Sequence, residues 1–415
     1  MSQTPNDPND PQQPAEGWRH PPQQGWGQSA SGNAQNYGQY GPPGNIPGAP
    51  YYQPSAPVAK PGSVGLRPLS LGDIFEGTFK SFKYAPLALV IPLLIVNVIM
   101  SVAGVRYFFY WMTHNVLPIL EGINTADSYT IDSPSDLQQL FPPAFINSFW
   151  SLGLVLSLIT VVGTFLTVFC YGMVSVSVAR GIAGQKTSFT QAVRLASRKL
   201  GGLMGLAGIV SLLYVAVIVV FAATAVAMFN SVLTGSSLLV SMFVPFFFLI
   251  PIVAIAGALI TVKLFAAPQA AAIESVGPLR ALCRSWELTR FNFWRVLGIL
   301  LLMGIITSIA VSIVSAPFQT FTPMGTADSL GVGEQGTPVE FEQLRQSLMG
   351  ASWGLGIMSG ITSALSAIVM AIVASLLYLD LRFRHEQLHV TIANESASGQ
   401  QPEIPGSTAQ ASTMR

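Results

Sequence analysis

Charged side chains are scarce in this 415-residue chain, in which Asp, Glu, Lys and Arg together make up 9% of the residues. A soluble domain usually carries about 25%, whereas here half of the residues are hydrophobic and the mean hydropathy is +0.51. This composition excludes an ordinary water-soluble fold. The net charge of +1 also argues against a nucleic-acid-binding protein, which would need a basic excess.

Cysteine is nearly absent as well. Cys170 lies in an apolar run and Cys283 on a predicted amphipathic helix, so the pair indicates no disulfide framework. No motif in the sequence points to a bound cofactor, and none is predicted.

The first 65 residues lack an apolar segment, which argues against a signal peptide. They are rich in Pro, Gln, Gly, Asn and Tyr, a composition that cannot bury enough apolar surface to offset the entropy of ordering. We expect a disordered cytoplasmic tail over 1–65, a membrane domain over 66–390 and a second disordered cytoplasmic tail over 391–415. Aromatic residues in the first tail leave two interpretations open, a solvated tether or a segment that binds a protein partner or associates with itself.

Apolar runs long enough to cross a bilayer, which takes about 20 residues, fill most of the membrane domain. The stretch from Leu200 to Val262 contains no charged residue and is too long for one span, so it must fold back near the polar residues 230–237. Six transmembrane helices are therefore predicted, at about 86–105, 150–179, 203–228, 238–262, 296–315 and 353–379.

The loops between these spans alternate in charge. Loops 180–202 and 263–295 are basic, whereas loops 106–149 and 316–352 are acidic. Because Lys- and Arg-rich loops stay on the cytoplasmic side of a membrane, both termini are expected in the cytoplasm.

Similar stretches precede the first, third and fifth spans, and each begins with a helix-start signal, at Ser70, Ser188 and Gly277-Pro278. Each then places apolar residues at helical spacing with Lys and Arg on the other face, a pattern typical of a helix lying in the membrane interface. The predicted fold is thus all-α, an integral membrane protein built as three repeats of an interfacial amphipathic helix plus a helical hairpin. The side chains expected at the lipid interface are basic or aromatic: Lys80, Lys83, Arg194, Arg198, Lys199, Arg280, Arg284, Trp286, Arg290, Trp294, Arg295, Arg382 and Arg384.

Three stretches, LRPLSLGDIFEGTFK (66–80), AAAIESVGPLRALCRSWELTRFNFWRVLGILLL (270–302) and LLYLDLRFRHEQL (376–388), resemble the membrane domain of bacterial glycerophosphoryl diester phosphodiesterases. The resemblance covers about 66–390 and is most specific at Ser285-Trp286 and Phe293-Trp294-Arg295. It implies a six-span plasma-membrane protein whose molecular function is unassigned. The catalytic barrel of those enzymes is absent, so the resemblance carries no activity to this chain.

One short motif, in contrast, is typical of an enzyme. His385, Glu386 and His389 have the H-E-x-x-H spacing of zinc metalloproteases, in which two His on one helical face bind the metal and Glu acts as base. A catalytic zinc also needs a third protein ligand and an enclosed site, and only Glu395 and Glu403 follow, in the predicted tail. The resemblance explains the same residues as the basic end of a membrane helix, so we predict no metal site at His385 and His389.

The sequence favours a non-catalytic scaffold or accessory protein that contacts membrane lipids or a cytoplasmic partner. The alternative is a transporter or channel for a small or amphiphilic solute, for which Asn97 and Pro251 are the residues to test, although the spans contain essentially no ionisable side chain. A zinc metalloprotease is the third hypothesis. The oligomeric state is not encoded in any of these patterns.

Overall fold

The structure, a computed structural model, describes residues 62–125, 142–233, 238–319, 341–399 and 402–407. These residues form helices and connecting turns without a β-strand, so the predicted all-α class is confirmed. Within them, six helices are long and apolar enough to cross a membrane, in agreement with the six predicted spans. The chain is a multi-pass membrane protein.

The described residues contain twelve helices in chain order. They are α1 (Leu71–Tyr84), α2 (Pro86–Asn115), α3 (Leu117–Thr125), α4 (Pro143–Ile182), α5 (Phe189–Ser197), α6 (Leu200–Leu233), α7 (Leu238–Leu264), α8 (Ala267–Ile273), α9 (Pro278–Arg290), α10 (Phe293–Gln319), α11 (Phe341–Glu386) and α12 (Leu388–Ala397). The membrane-length helices are α2, α4, α6, α7, α10 and α11.

Several of these helices extend well beyond the apolar runs that predicted them. Helix α4 has 40 residues and α11 has 46. At 1.5 Å per residue, 40 residues reach about 60 Å, twice the hydrocarbon core of about 30 Å. Hydropathy marks only the part of a helix that suits lipid. Helices α2 and α11 continue into the expected loops, where they bond to each other: Arg106 Nη1 of α2 donates to the Met349 carbonyl at 3.2 Å and to Ser352 Oγ at 3.1 Å.

Four of the short helices, α1, α5, α8 and α9, lie at one end of the bundle together with the C-terminal end of α11. This end is here named the basic end. The predicted helix starts are confirmed. The Ser70 and Ser188 side chains accept the N–H groups of Asp73 and Gln191 in capping boxes, and α9 begins at Pro278. The equivalence of the three units as a repeat stays a prediction.

Helix α1 has the reverse polarity of a helix on a soluble protein. Its apolar side chains Leu71, Phe75 and Phe79 are 48%, 38% and 63% exposed, while Gly77, Thr78 and Ser81 are buried with Ile74. The hydroxyls of Thr78 and Ser81 bond to carbonyls of the preceding turn, which allows their burial. An outward apolar face of this kind suits contact with lipid rather than with water.

The central helix pair is α2 and α11, which run antiparallel in close contact. A stripe of small residues spaced four apart on α11, Ser352, Gly356, Gly360 and Ala364, is buried. A Cβ at Gly360 would come within 2.5 Å of the Val98 Cα, and one at Gly356 within 2.9 Å of the Val102 Cα. The Gly-x-x-x-Gly motif of the sixth span therefore packs within the chain, where it lets two backbones approach.

Packed structure extends beyond the domain boundaries expected at 65/66 and 390/391. Ser63 and Val64 are buried, and the Ser63 N–H donates to the Gly181 carbonyl at 3.0 Å. At the other end, α12 runs to Ala397, and Ile404 is 6% exposed. Residues 391–399 and 402–407 therefore pack on the membrane domain through isolated apolar side chains such as Ile392 and Ile404, and the domain boundaries stay a prediction. Residues 1–61 lie outside the described part.

The apolar core is concentrated at the basic end, where α1, α4, α6, α8 and α11 meet. Towards the other end, α6, α7 and α10 expose aliphatic side chains, such as Leu212, Ile252 and Ile313. Such surfaces are expected on membrane spans, since lipid tails solvate them.

Candidate functional site

The last turns of α11 carry a polar residue at every second position, Tyr378, Asp380, Arg382, Arg384 and Glu386. Helical geometry divides them into two faces, because residues four apart lie above one another. Tyr378, Asp380 and Arg382 are all 0% exposed. Burying charge without a partner is very costly, so the sequence requires each face to meet complementary groups.

The Asp380 face ties α11 to the segment before α1 and to the start of α10. The Asp380 carboxylate accepts the Leu69 backbone N–H at 2.6 Å and a bond from Arg295 Nη2 at 2.9 Å. Arg384 Nε donates to the same carboxylate at 3.1 Å. Both arginines also donate to the Leu69 carbonyl, at 2.8 and 2.9 Å. This buried backbone acceptor thus has the hydrogen-bond partners that it needs.

The second face meets Glu274, which follows α8 and has a side chain only 1% exposed. The Tyr378 hydroxyl donates to Glu274 Oε1. Arg382 Nε lies 3.4 Å from Oε1, and Arg284 Nε of α9 lies 3.3 Å from Oε2. Both arginines also pair with Glu386, which joins α8, α9 and α11 in one network.

The whole set, here named the charged cluster, comprises Arg284, Arg295, Arg382, Arg384, Glu274, Asp380 and Glu386. The Glu274 face is balanced, since Arg284 and Arg382 oppose two glutamates. On the other face, Arg295 and Arg384 share one carboxylate. One positive charge is therefore uncompensated within the cluster, and it lies on the Asp380 side.

Helix α9 is fixed to the end of α7 by one hydroxyl. Ser285 Oγ donates to the Lys263 carbonyl at 2.8 Å and accepts the Ala266 N–H at 3.2 Å. Lys263 Nζ lies 4.9 Å from the Trp286 ring and 5.0 Å from the Phe293 ring, within cation–π range. Ser285-Trp286 is one of the stretches where the resemblance to the phosphodiesterase membrane domain is most specific. This pair thus has a structural role at the junction of α7 and α9.

The C-terminal segment 402–407 docks on the basic end. Glu403 accepts bonds from Arg194 and Arg198 of the α5 region at 3.1 and 2.7 Å, and its carbonyl accepts from Arg180 at 2.7 Å. The Arg194 hydrogen bond, with the charge of Arg198, lowers the pKa of the Glu403 carboxyl below its ordinary value. The Gly406 carbonyl accepts from the buried Arg382 at 3.1 Å, which brings this segment to the charged cluster.

The structure separates the side chains predicted at a lipid interface into groups. Arg382 is completely buried, so its predicted lipid contact is wrong, because Glu274 offers it a carboxylate inside the fold. Arg284, Arg295 and Arg384 also belong to the charged cluster and keep only part of their surface. Others have polar partners at the surface, namely Lys80, Arg194, Arg198 and Lys199. The remainder are exposed: Lys83, Arg280, Trp286, Arg290 and Trp294.

The H-E-x-x-H residues do not share one helical face. Gln387, with a φ of 51°, is in the left-handed region and separates α11 from α12, so His385 and His389 lie on different helices. Glu386 is paired with Arg284 and Arg382, and His385 Nε2 lies 2.9 Å from Asn292 Nδ2. Among the residues that the structure describes, no group of three His, Cys, Asp or Glu is placed to hold a metal.

The residues proposed to test a transport function lie away from the charged cluster. Asn97 Nδ2 donates to the Leu93 carbonyl one turn earlier on α2, at 2.8 Å. Pro251 is exposed on α7. Sequence reasoning missed Glu274 and Tyr378 as members of the site. The available signal was that Glu274 is the single charged residue in the stretch 267–277.

Comparison with known proteins adds one match. A family described as "Domain of unknown function (DUF7847)" matches residues 133–381, which include the charged cluster apart from Arg382, Arg384 and Glu386. No curated protein and no solved structure matches the chain.

Proposed function

Because this chain belongs to the DUF7847 family of domains of unknown function, we propose its function from the structure. We infer that it is a non-catalytic membrane scaffold, whose basic end lies at the cytoplasmic leaflet of the plasma membrane and holds anionic phospholipids around it. Both termini are then cytoplasmic, as the loop charges favour.

The observation that carries this proposal is the reversed polarity of the helices at the basic end. Helix α9 repeats the pattern of α1, with Leu279 and Trp286 69% and 54% exposed over a buried face that includes Ala281 and Ser285. Such helices are stable where apolar side chains enter the lipid and basic ones reach the headgroups.

Cations flank these outward apolar faces. Lys83 on α1 and Arg280 and Arg290 on α9 are exposed, and Lys80 keeps 42% of its side chain exposed beside Glu76. Near an anionic surface each such charge is worth about 1 kcal/mol, and the sum is enough to enrich anionic lipid locally. The arginines of the charged cluster, by contrast, form ion pairs within the protein. This supports a structural rather than a catalytic role for the cluster.

The test is the lipid composition around the protein. Full-length protein is reconstituted in phosphatidylglycerol–phosphatidylcholine vesicles, extracted in native nanodiscs, and its lipid is quantified by mass spectrometry. We expect phosphatidylglycerol enrichment over the bulk membrane, and at least a twofold smaller enrichment when Lys80, Lys83, Arg280 and Arg290 are all changed to Gln. Arg345→Gln, at the opposite end of the bundle, is the control and should leave the enrichment unchanged. Equal composition in wild type and quadruple variant would contradict the proposal.

A further inference from the structure

A groove of about 510 Å³ opens beside the Asp380 face of the charged cluster, between the start of α1, the start of α10 and the end of α11. Arg295 and Arg384 line it at the level of the cluster. One turn further into the bundle along α10, Gly298 and Ile299 make the lining apolar, and Leu71 adds to it from α1. The groove therefore changes from cationic to apolar along the direction in which α10 runs.

The cationic part has spare capacity to bind an anion. Arg295 and Arg384 share the single Asp380 carboxylate, and their side chains keep 31% and 32% of their surface exposed. Arg295 makes its bonds to Asp380 and to the Leu69 carbonyl through Nη2 alone. A guanidinium has five N–H donors, so Arg295 has donors beyond these bonds, and its planar group matches the oxygen geometry of a phosphate.

The apolar part continues as a stripe on the surface of α10. Leu302, Ile305 and Ile309 follow Gly298 at spacings of four, three and four residues, which places them on one helical face. They are 37%, 49% and 56% exposed. A stripe of about 11 residues rises roughly 16 Å, about half of the hydrocarbon core, and so matches one acyl chain.

We propose that this groove is a specific site for a single anionic glycerophospholipid, with its phosphate at Arg295 and Arg384 and one acyl chain along the 298–309 stripe of α10. Trp294, 80% exposed at the rim, lies at the headgroup level, where indole rings are favoured in membranes. The uncompensated charge selects an anionic headgroup, and the apolar stripe selects a lipid over free phosphate. This inference rests on the proposed function, which places the basic end at an anionic leaflet.

A leucine at Gly298 tests the groove without altering any charge. A Cβ at Gly298 meets no atom within 4 Å and Gly298 lines the groove, so we expect Leu to fit the fold and its side chain to fill the groove. Gly304→Leu is the matched control, because it lies on the same helix, also meets no atom within 4 Å, and is outside the groove lining. Purified full-length protein is delipidated, titrated with phosphatidylglycerol or phosphatidylcholine, and examined by native mass spectrometry, with inorganic phosphate as competitor.

We expect the wild type and Gly304→Leu to retain one phosphatidylglycerol in preference to phosphatidylcholine, and Gly298→Leu to bind it at least tenfold more weakly. Millimolar phosphate should not displace the lipid. Equal retention by both glycine variants would overturn the groove assignment, as would displacement by phosphate, which would indicate a free-anion site. If enrichment of phosphatidylglycerol persists around Gly298→Leu and no single lipid is held by the wild type, the proposed function stands and this inference fails.

Discussion

At the scale of single residues, the basic end depends on buried arginines whose partners come from distant parts of the chain. Arg382 has no exposed surface, and its Nη2 is buried without an acceptor among the described residues. Ion pairs of this kind add little net stability over a well-packed apolar core, but removing one partner leaves a buried charge uncompensated. We therefore expect them to make the arrangement of α8, α9, α10 and α11 specific.

Asp380→Asn is the residue-scale test of this view. The amide keeps the size of the carboxylate but removes its charge, so Arg295 and Arg384 are left facing each other without a counter-ion. We expect the free energy of unfolding to fall by about 3 kcal/mol, somewhat less than for a fully buried triad because both guanidinium groups are partly exposed. Denaturant unfolding followed by tryptophan fluorescence in detergent measures the change.

Glu287→Gln provides the control for Asp380→Asn, since Glu287 is an exposed acid on α9. Its loss should change the unfolding free energy by less than about 0.5 kcal/mol. Similar values for the two variants would show that the charge of Asp380 has no structural role.

Local signals in the sequence predicted local structure well at this scale, and distant contacts poorly. Ser70 and Ser188 cap their helices through residues three positions ahead, so the sequence alone indicated the helix starts. Tyr378 and Glu274 are 104 positions apart, and neither has a neighbour that indicates the other. No neighbour of Arg382 indicates its partner Glu274 either. The sequence therefore predicts Arg382 at the lipid surface, where a basic residue that follows a span is usually found.

At the scale of helices, close contact between α2 and α11 determines the centre of the bundle. Without water to drive apolar surfaces together, helices in lipid gain mainly from van der Waals contact and short polar bonds. Ser101 and Ser359 share a hydrogen bond across this interface, and Arg106 Nη1 donates to Ser352 Oγ at 3.1 Å. The small residues of α11 permit both contacts, since larger side chains would hold the two backbones apart.

Gly360→Val tests the helix contact. Its Cβ would collide with the backbone of Val98, which cannot move without displacing α2, so we expect a loss of about 3 kcal/mol and a clear decrease in Tm. Gly354→Val is the matched control on the same helix, because Gly354 is exposed and a Cβ there meets no atom within 4 Å. Thermal unfolding in the same detergent compares the two, and equal Tm values would show that α2 and α11 do not need the close approach.

Hydropathy predicted the number and order of the long helices but not their lengths. The first span is predicted to end near residue 105, yet α2 continues to Asn115, because Trp111 is buried there and donates to the Ser148 carbonyl of α4 at 3.0 Å. The packing of the C-terminal segment was missed for a similar reason. Ile404 is a single apolar residue between Glu403 and Pro405, and its burial in the core depends on contacts with distant parts of the chain.

At the scale of the whole molecule, the orientation in the membrane connects the proposed function with the proposed lipid site. Anionic lipid is most abundant in the cytoplasmic leaflet, so both proposals need the basic end to face the cytoplasm. The loop charges favour that orientation, since the basic and acidic loops alternate as an even number of crossings requires. A reversed orientation would place α1, α9 and the groove beside the leaflet with less anionic lipid.

Exposed acidic positions at the two ends of the bundle make this orientation directly measurable. On a Cys283→Ser background the remaining Cys170 is buried in α4 and should not react, and Glu287→Cys adds one exposed thiol on α9 at the basic end. A membrane-impermeant maleimide should label the Glu287→Cys variant in inverted membrane vesicles and leave it unlabelled in intact spheroplasts. On the same background, Glu121→Cys on α3, where Glu121 is exposed at the opposite end, should give the reverse result. Labelling of the Glu287→Cys variant in intact spheroplasts would place the basic end outside the cell, and the assignment of an anionic leaflet to it would then be wrong.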